Sequence, residues 1–596
     1  MSEASLATPA AGSSAQAEPH GLRGAFRKFW SAWLSAFRTI PETQFFLLLA
    51  IVIGLFSGLV VVCFRICIAW NSILLLGSGM HPSVLRTLLV PSTCGILVGI
   101  LALRVFPLVR GSGVNQTKAA VYIYDGYVPF STVIGKFVTC ALAIGSGQSL
   151  GPEDPALQMG AGIASKLGRG LHLSQEKLRL IAPVGAAAGL AAAFNAPVSA
   201  VLFVIEEVIG NWSGGVLGAV VLAAVSSVVV MRRFMGSEAL FRIPPFEVQH
   251  PAELLAFAVL GVVGGGASLV LLKFIAWVRP RLMALPTWSR YLQPAGAGLL
   301  IGIIGIWLPQ VMGAGYPIID QALHDQYTWK MLLLLGAFKI LATGFSFTSG
   351  TPGGMFAPTL FIGAMVGGAV GGIEHHFFHG LTGTVGAFAL VGMGTLFAGF
   401  LRIPITSVFM VIEVSGNYSA ILPVMISNGI AYLISRHYQS VPLFDMLSRQ
   451  DGVVLPSVEE QRERVNLRAE DAMRIPAEDA QRMDETFEQS VRRAIATKKR
   501  NFLVRMASGE WAIIEPAAFE QLAASPTGPI SEEKVDTRRP PTLYPDQTLE
   551  EALHAIQEWP ILPVVNRADL HRLEGVLALE DVLAAYRKSN SESSPS

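Results

Sequence analysis

Residues 136–160 read KFVTCALAIGSGQSLGPEDPALQMG, and residues 339–363 read KILATGFSFTSGTPGGMFAPTLFIG. Lys136, Ser146, Gly147, Gly151, Pro155 and Gly160 return as Lys339, Ser349, Gly350, Gly354, Pro358 and Gly363, each 203 positions on. The pairing continues outward. Gly111-Ser112-Gly113 returns as Gly313-Ala314-Gly315 at an offset of 202, and Asn195-Ala196-Pro197 through Glu206 returns as Arg402-Ile403-Pro404 through Glu413 at 207. Chance does not hold offsets within five residues over such a length, so residues 41–450 form a tandem repeat with halves at about 41–230 and 250–450.

Both halves are apolar. Of 596 residues, 52% are hydrophobic and only 15% charged, against about 25% charged in a soluble protein. Mean hydropathy is +0.50. The charge is uneven: residues 451–596 hold 44 of the 87 charged side chains. The first 450 residues therefore belong in a lipid bilayer and the remainder in water. Lys+Arg (44) and Asp+Glu (43) nearly cancel, so no nucleic-acid partner is expected. Cys63, Cys67, Cys94 and Cys140 lie in apolar stretches without a CxxC pair and read as small core hydrophobes. No signal peptide pattern precedes the first apolar run, Phe45 to Cys63. Residues 1–40 read as a mostly disordered segment, and Arg23, Arg27, Lys28 and Arg38 place it on the cytoplasmic side by the positive-inside bias.

Many apolar stretches run only 10–16 residues before a Gly, Pro or charge interrupts them. A perpendicular span needs roughly 20, so these segments are tilted, re-entrant or broken. Broken backbone at membrane depth survives only inside protein or along a water-filled path. With 59 Gly and 35 Pro, the pattern is that of a transporter or channel body, and bodies built from repeats bind substrate where broken helices meet near the midplane.

Three glycine-rich breaks stand out: Gly111 to Asn115, Gly147 to Pro155 and Gly350 to Pro358. The last two open apolar helical segments, and Pro at a first helical position costs no needed donor. Helix N-termini aimed into the protein present free N–H groups and positive dipole ends, which bind anions. Partial charges hold a small anion loosely enough to release it. Close helix packing by small residues is the rival explanation for any one such motif; three motifs, two related by the repeat, favour the anion cradle.

Glu153 sits in a Gly-Pro-Glu-Asp-Pro turn at membrane depth, where an ionisable group is costly and usually functional. A carboxylate at a helix N-terminus occupies an anion site as a tethered competitor until protonation frees it. Asp154 beside it fits an N-terminal cap. Glu206 and Glu207 end another apolar run, and neighbours on a helix point about 100° apart. Glu206 has a repeat mate, Glu413, and reads as structural; Glu207 has none and reads as a proton station. Glu374, His375, His376 and His379 end a glycine-rich segment and read as an interfacial loop rather than a metal site. An intramembrane hydrolase using the Glu206-Glu207 pair is disfavoured, because no HExxH motif and no Ser/His set at membrane depth accompany it.

On these motifs, residues 40–450 resemble the CLC family of chloride channels and chloride/proton antiporters. Gly111-Ser112-Gly113 looks like its first selectivity motif, Gly151 to Pro155 like its Gly-Arg-Glu-Gly-Pro motif, and Gly354 to Pro358 like its Gly-x-Phe-x-Pro motif. Pro442-Leu443-Phe444 looks like the segment carrying its pore tyrosine. The resemblance implies an all-α polytopic membrane protein of two inverted repeats, with about 18 broken and re-entrant helices, working as a homodimer with one pore per subunit. It implies an anion site at Ser112, Gly113, Met355, Phe356 and Phe444, an external gate at Glu153 and internal proton transfer at Glu207. Chloride and protons are then the substrates, with a passive chloride channel of the same fold as the alternative. Short loops point to a prokaryotic plasma membrane, with both termini cytoplasmic. Four positions depart from the family pattern: Pro152 for its Arg, Asp154 for its second Gly, Asn115 for Pro and Phe444 for Tyr. They bear on anion affinity and selectivity rather than on fold.

Residues 465–590 alternate short β-branched runs with helical patterns. Phe502-Leu503-Val504 and Ala512-Ile513-Ile514 form one pair; Ile561 to Val565 and Leu573 to Leu577 form a second. This resembles an α/β CBS-domain pair, a degenerate copy at 465–525 and a clearer one at 532–590. In that family an adenine nucleotide binds through a Ser/Thr and an Asp after the last strand. Asp581 fits the Asp, but Ala578 replaces the hydroxyl. A structural, dimer-supporting role without a cofactor is therefore expected, with adenine-nucleotide binding at Asp581 as the alternative.

Overall fold

The computed structural model describes residues 41–455 and 467–592, apart from short breaks at 78–82, 172, 211–213, 242, 244–252, 378–383, 477–478, 483, 500 and 525–529. The N-terminal segment 1–40 and His379 lie outside the described residues. Two compact units divide near Pro456. Among the described residues, eight helices are long and apolar enough to cross a membrane, Glu42–Leu76 and Glu253–Met283 among them.

The first unit runs α1 (Glu42–Leu76), α2 (Val84–Ile100), α3 (Gly113–Tyr122), α4 (Phe130–Gly145), α5 (Glu153–Gly170), α6 (Gln175–Phe194), α7 (Pro197–Phe203) and α8 (Gly214–Met235). It then repeats the series as α9 (Glu253–Met283), α10 (Gln293–Trp307), α11 (Tyr316–Leu323), α12 (Trp329–Thr348), α13 (Phe356–Phe377), α14 (Val385–Leu401), α15 (Pro404–Ser415) and α16 (Ile421–Tyr438), and closes with α17 (Leu443–Gln450). Packing repeats too: α1 lies on α8 as α9 lies on α16, and α5 on α6 as α13 on α14. The α5–α6 contact is backbone to backbone. A Cβ on Gly160 would stand 2.0 Å from the Gly185 carbonyl oxygen, and one on its mate Gly363 would stand 2.3 Å from that of Gly392.

The halves are related by an inverting axis. Gly151 N–H donates to Gly354 O at 2.7 Å and Gly354 N–H to Gly151 O at 2.8 Å, an antiparallel pair between repeat mates. Such an exchange puts the local two-fold between the two glycines. The helix pair α2–α10 shares that symmetry, since a Cβ on Gly95 would meet Pro294 and Ala295, whereas one on Gly298 would meet their mates Pro91 and Ser92. Because α5 begins at Glu153 and α13 at Phe356, both broken helices start beside this axis, deep inside the unit. Of the four cysteines, Cys140 is a core residue, but Cys63 is exposed on α1 rather than packed as expected.

The second unit carries α18 (Ala469–Ala472), α19 (Phe487–Ala496), β1 (Leu503–Arg505), β2 (Trp511–Ile514), α20 (Pro516–Ala524), β3 (Thr537–Arg538), α21 (Leu549–Ile556), β4 (Leu562–Asn566), β5 (Asp569–Leu577) and α22 (Leu579–Glu592). Strands β1, β2 and β3 form one antiparallel sheet with Leu503 opposite Ile513, and β4 pairs antiparallel with β5, Leu562 opposite Leu577. Each sheet has its own core, one around Phe502, Val504 and Ile514, the other around Leu549, Val564 and Val582. Leu503 and Ile513 meet Ile561 and Val576 in a third cluster that joins the two halves.

Candidate functional site

Gly111 turns the chain at φ +85°, and Ser112 caps α3, its Oγ accepting from Val114 N–H at 3.2 Å. The same helix end carries a second acceptor. Asp154 takes the Gly113 N–H at 3.0 Å, the Val114 N–H at 2.8 Å and the Ser112 hydroxyl at 3.5 Å. Asp154 therefore caps α3 across the interface, not its own helix α5. A carboxylate is favoured there by the helix dipole and by unpaired N–H groups.

Ser112 and Asp154 share one buried pocket with Phe347, Met355, Phe356, Leu401 and Phe444. Four of the five expected anion-site residues thus line a common cavity, and Gly113 adjoins it with its N–H turned to Asp154. Phe356 is wedged edge-on against Phe203 at 5.2 Å and Phe194 at 6.2 Å, which fixes the first turn of α13. Asn115, one of the departures, donates from Nδ2 to the Phe444 carbonyl at 2.8 Å and ties α17 to α3.

Glu153, fully buried as the first residue of α5, turns the other way. Its carboxylate accepts from the Ala357 N–H in the first turn of α13 at 3.3 Å and from the Tyr316 hydroxyl. It sits at a helix N-terminus, where free N–H groups and the dipole favour negative charge. Tyr316 was not legible as a site residue, although it follows Gly313-Ala314-Gly315, the repeat of the first glycine motif.

Glu207 lies in the π-helical turn Val204–Ile209 that continues α7. It pairs with Lys118 Nζ at 2.9 Å, and Lys118 also reaches Asp445 at 3.4 Å, all three buried. Lys118 is a lone cation on the short helix α3, a signal the sequence carried without its partner. Glu206 turns aside and accepts from Ile405 N–H, Thr406 N–H and Thr406 Oγ at 3.4, 2.9 and 2.7 Å, capping α15. A cavity of about 560 Å³ ends on Ser112 and is lined by Arg110, Arg279 and Arg290. Asp451 lies in the same lining and pairs with Arg279 at 2.6 Å, so the cavity is net positive.

In the second unit Asp581 is committed locally. It accepts from the Ala578 N–H at 2.9 Å and pairs with Arg474 at 2.8 Å.

The description "Voltage gated chloride channel" matches residues 94–436, more than half of the chain, and "CBS domain" matches residues 533–588. The chain belongs to the voltage gated chloride channel family. Within this CLC family it is 30% identical over 421 residues to the H(+)/Cl(-) exchange transporter ClcA of Vibrio campbellii, spanning 68% of this chain and 90% of that relative. A slow cyanobacterial Cl-/H+ antiporter aligns with a TM-score of 0.63 at 26% identity, covering 71% of this chain and 99% of its own. A eukaryotic CLC transporter shares the fold over 90% of this chain, with a TM-score of 0.60 at 19% identity. The expected fold class, an all-helical CLC body followed by a small α/β CBS unit, is the one observed. The family is one of transporters and channels rather than enzymes, and the chain is a multi-pass membrane protein.

Proposed function

We propose that the chain exchanges chloride for protons across the membrane, with Glu153 as the external gate and Glu207 as the internal proton-transfer residue. The observation that carries this reading is the Glu153 carboxylate bound to the Ala357 N–H at 3.3 Å. A carboxylate so placed occupies the position of a substrate anion. When Glu153 takes a proton it loses the charge that holds it to the dipole of α13, and chloride replaces it. When chloride moves on toward Ser112, Met355, Phe356 and Phe444, the deprotonated carboxylate returns. Each cycle thus moves a proton against chloride. Glu207 supplies the inner end of the proton path, and it accepts a proton as it releases the Lys118 ammonium.

The identity to an exchange transporter supports the same assignment. The family resemblance supports a homodimer in a prokaryotic plasma membrane, and the charged tail supports cytoplasmic termini. The engagement of Asp581 by Arg474 and Ala578 supports a structural role for the CBS unit, with no nucleotide or other cofactor.

The test is proton flux in liposomes holding the purified protein, driven only by a chloride gradient. Uphill proton movement that disappears in Glu153→Gln, and separately in Glu207→Gln, is the expected result. Chloride flux with no proton movement in the unaltered protein would make it a passive channel and overturn the assignment.

A further inference from the structure

Two adjacent carboxylates leave the start of α5 in opposite directions, and each plugs a different helix end. Glu153 binds the first turn of α13, whereas Asp154 binds the first turn of α3 through Gly113 N–H, Val114 N–H and the Ser112 hydroxyl. We propose that Asp154 is a second tethered anion, holding the α3 end of the central site so that chloride reaches Ser112 only when the Asp154 carboxylate moves away. The proposal rests on the anion-site reading above and adds a residue to it.

Three observations point this way. First, α3 keeps a cap of its own when Asp154 moves away: Ser112 Oγ accepts from Val114 N–H at 3.2 Å, and the Gly113 N–H, whose acceptor is Asp154, is then open to an anion. Second, its carboxylate and Ser112 line the same pocket as Met355, Phe356 and Phe444, so its oxygens stand among the groups expected to hold chloride. Third, the groups that balance its charge would balance a bound anion in its place. The facing charged groups are Lys136 on α4, whose Nζ donates to the Gly111 carbonyl at 3.1 Å, and Glu153 next door, whose like charge opposes it. Its hydrogen-bond partners are the two N–H groups and the hydroxyl, donors an anion can use equally well. At Gly354, where the other broken helix is entered, a Cβ would stand 2.7 Å from that of Asp154. Asp154 therefore sits between both cradles.

A tethered competitor lowers apparent affinity by the fraction of time the site is vacant. If the carboxylate holds the cradle nine-tenths of the time, Asp154→Gly raises chloride affinity about tenfold. The experiment is chloride titration calorimetry on the purified full-length protein in chloride-free buffer, comparing the unaltered chain with Asp154→Gly, Asp154→Asn and Ser112→Ala. Tighter binding in Asp154→Gly, with Asp154→Asn between it and the unaltered chain, is the expected result. The neutral amide keeps the size and one acceptor, so it guards against loss of fold in the glycine variant. If Ser112→Ala weakens chloride binding while both Asp154 variants bind as the unaltered chain does, Asp154 is only a helix cap and this proposal alone fails. If no variant binds chloride, the anion-site reading fails with it.

Discussion

Glu206 and Glu413 cap each other's helices. Glu206, just past α7, accepts from the N–H groups of Ile405 and Thr406 at the start of α15; Glu413, near the end of α15, accepts from those of Val198 and Ser199 at the start of α7, at 3.0 and 2.7 Å. Each carboxylate also takes a hydroxyl, Thr406 for Glu206 and Ser199 for Glu413. The two residues are repeat mates, so the exchange is symmetric about the same axis as Gly151 and Gly354. Loss of a capping side chain costs about 1–2 kcal/mol. Glu206→Ala and Glu413→Ala are therefore expected to lower the thermal unfolding temperature by similar amounts and to leave chloride:proton stoichiometry unchanged. A Glu206→Ala protein that melts normally but loses proton coupling would instead place Glu206 on the proton path.

Glu207 is held by a cation, Lys118. Lys118, Glu207 and Asp445 are buried together, and removing one member of a buried ion pair leaves the others uncompensated at about 3–5 kcal/mol. Lys118→Met is expected to destabilise the protein strongly in thermal melts, and Lys118→Met with Glu207→Gln to recover part of the loss. Equal melting of the single and double variants would mean that Glu207 is not ionised beside Lys118.

The repeat was legible because glycines, prolines and one lysine keep their spacing when the apolar residues between them drift. The same spacing exposed the broken helices, and the family resemblance assigned Ser112, Glu153, Met355 and Phe356 to one anion pathway. The partners were not legible. Asp154 meets Val114 40 positions away, Lys118 meets Glu207 across 89 and Tyr316 meets Glu153 across 163. Nothing local in the sequence distinguishes a cap on its own helix from a cap on another. Glu206 was the exception, since its repeat mate marked it as part of the symmetric frame.

Tyr316 holds Glu153 on its cradle. A hydrogen bond to a charged group contributes about 1.5–3 kcal/mol, so Tyr316→Phe is expected to free the gate more often and raise chloride efflux from liposomes about tenfold where gate opening limits the rate. The same substitution in a Glu153→Gln background is expected to change little, because the charge that the hydroxyl stabilises is gone. An equal rise in both backgrounds would mean that Tyr316 acts on the pathway without acting through Glu153.

Phe444 lines the central pocket where the family resemblance places a hydroxyl. Its backbone is already fixed, the carbonyl accepting from Asn115 Nδ2 and from Ser448 Oγ at 3.0 Å, so Phe444→Tyr adds a donor without asking the segment to move. A donor to an anion is worth about 1.5–3 kcal/mol, or roughly tenfold or more in chloride affinity. In the unaltered chain, however, the new hydroxyl faces two acceptors: chloride and the Asp154 carboxylate. A donor shared with the tethered competitor strengthens both, and the net gain shrinks. Phe444→Tyr alone is therefore expected to improve chloride binding only slightly, whereas Phe444→Tyr in an Asp154→Gly background shows the full tenfold. Additive effects in the double variant, measured by the same chloride titration, would show that Phe444 and Asp154 do not compete over one site.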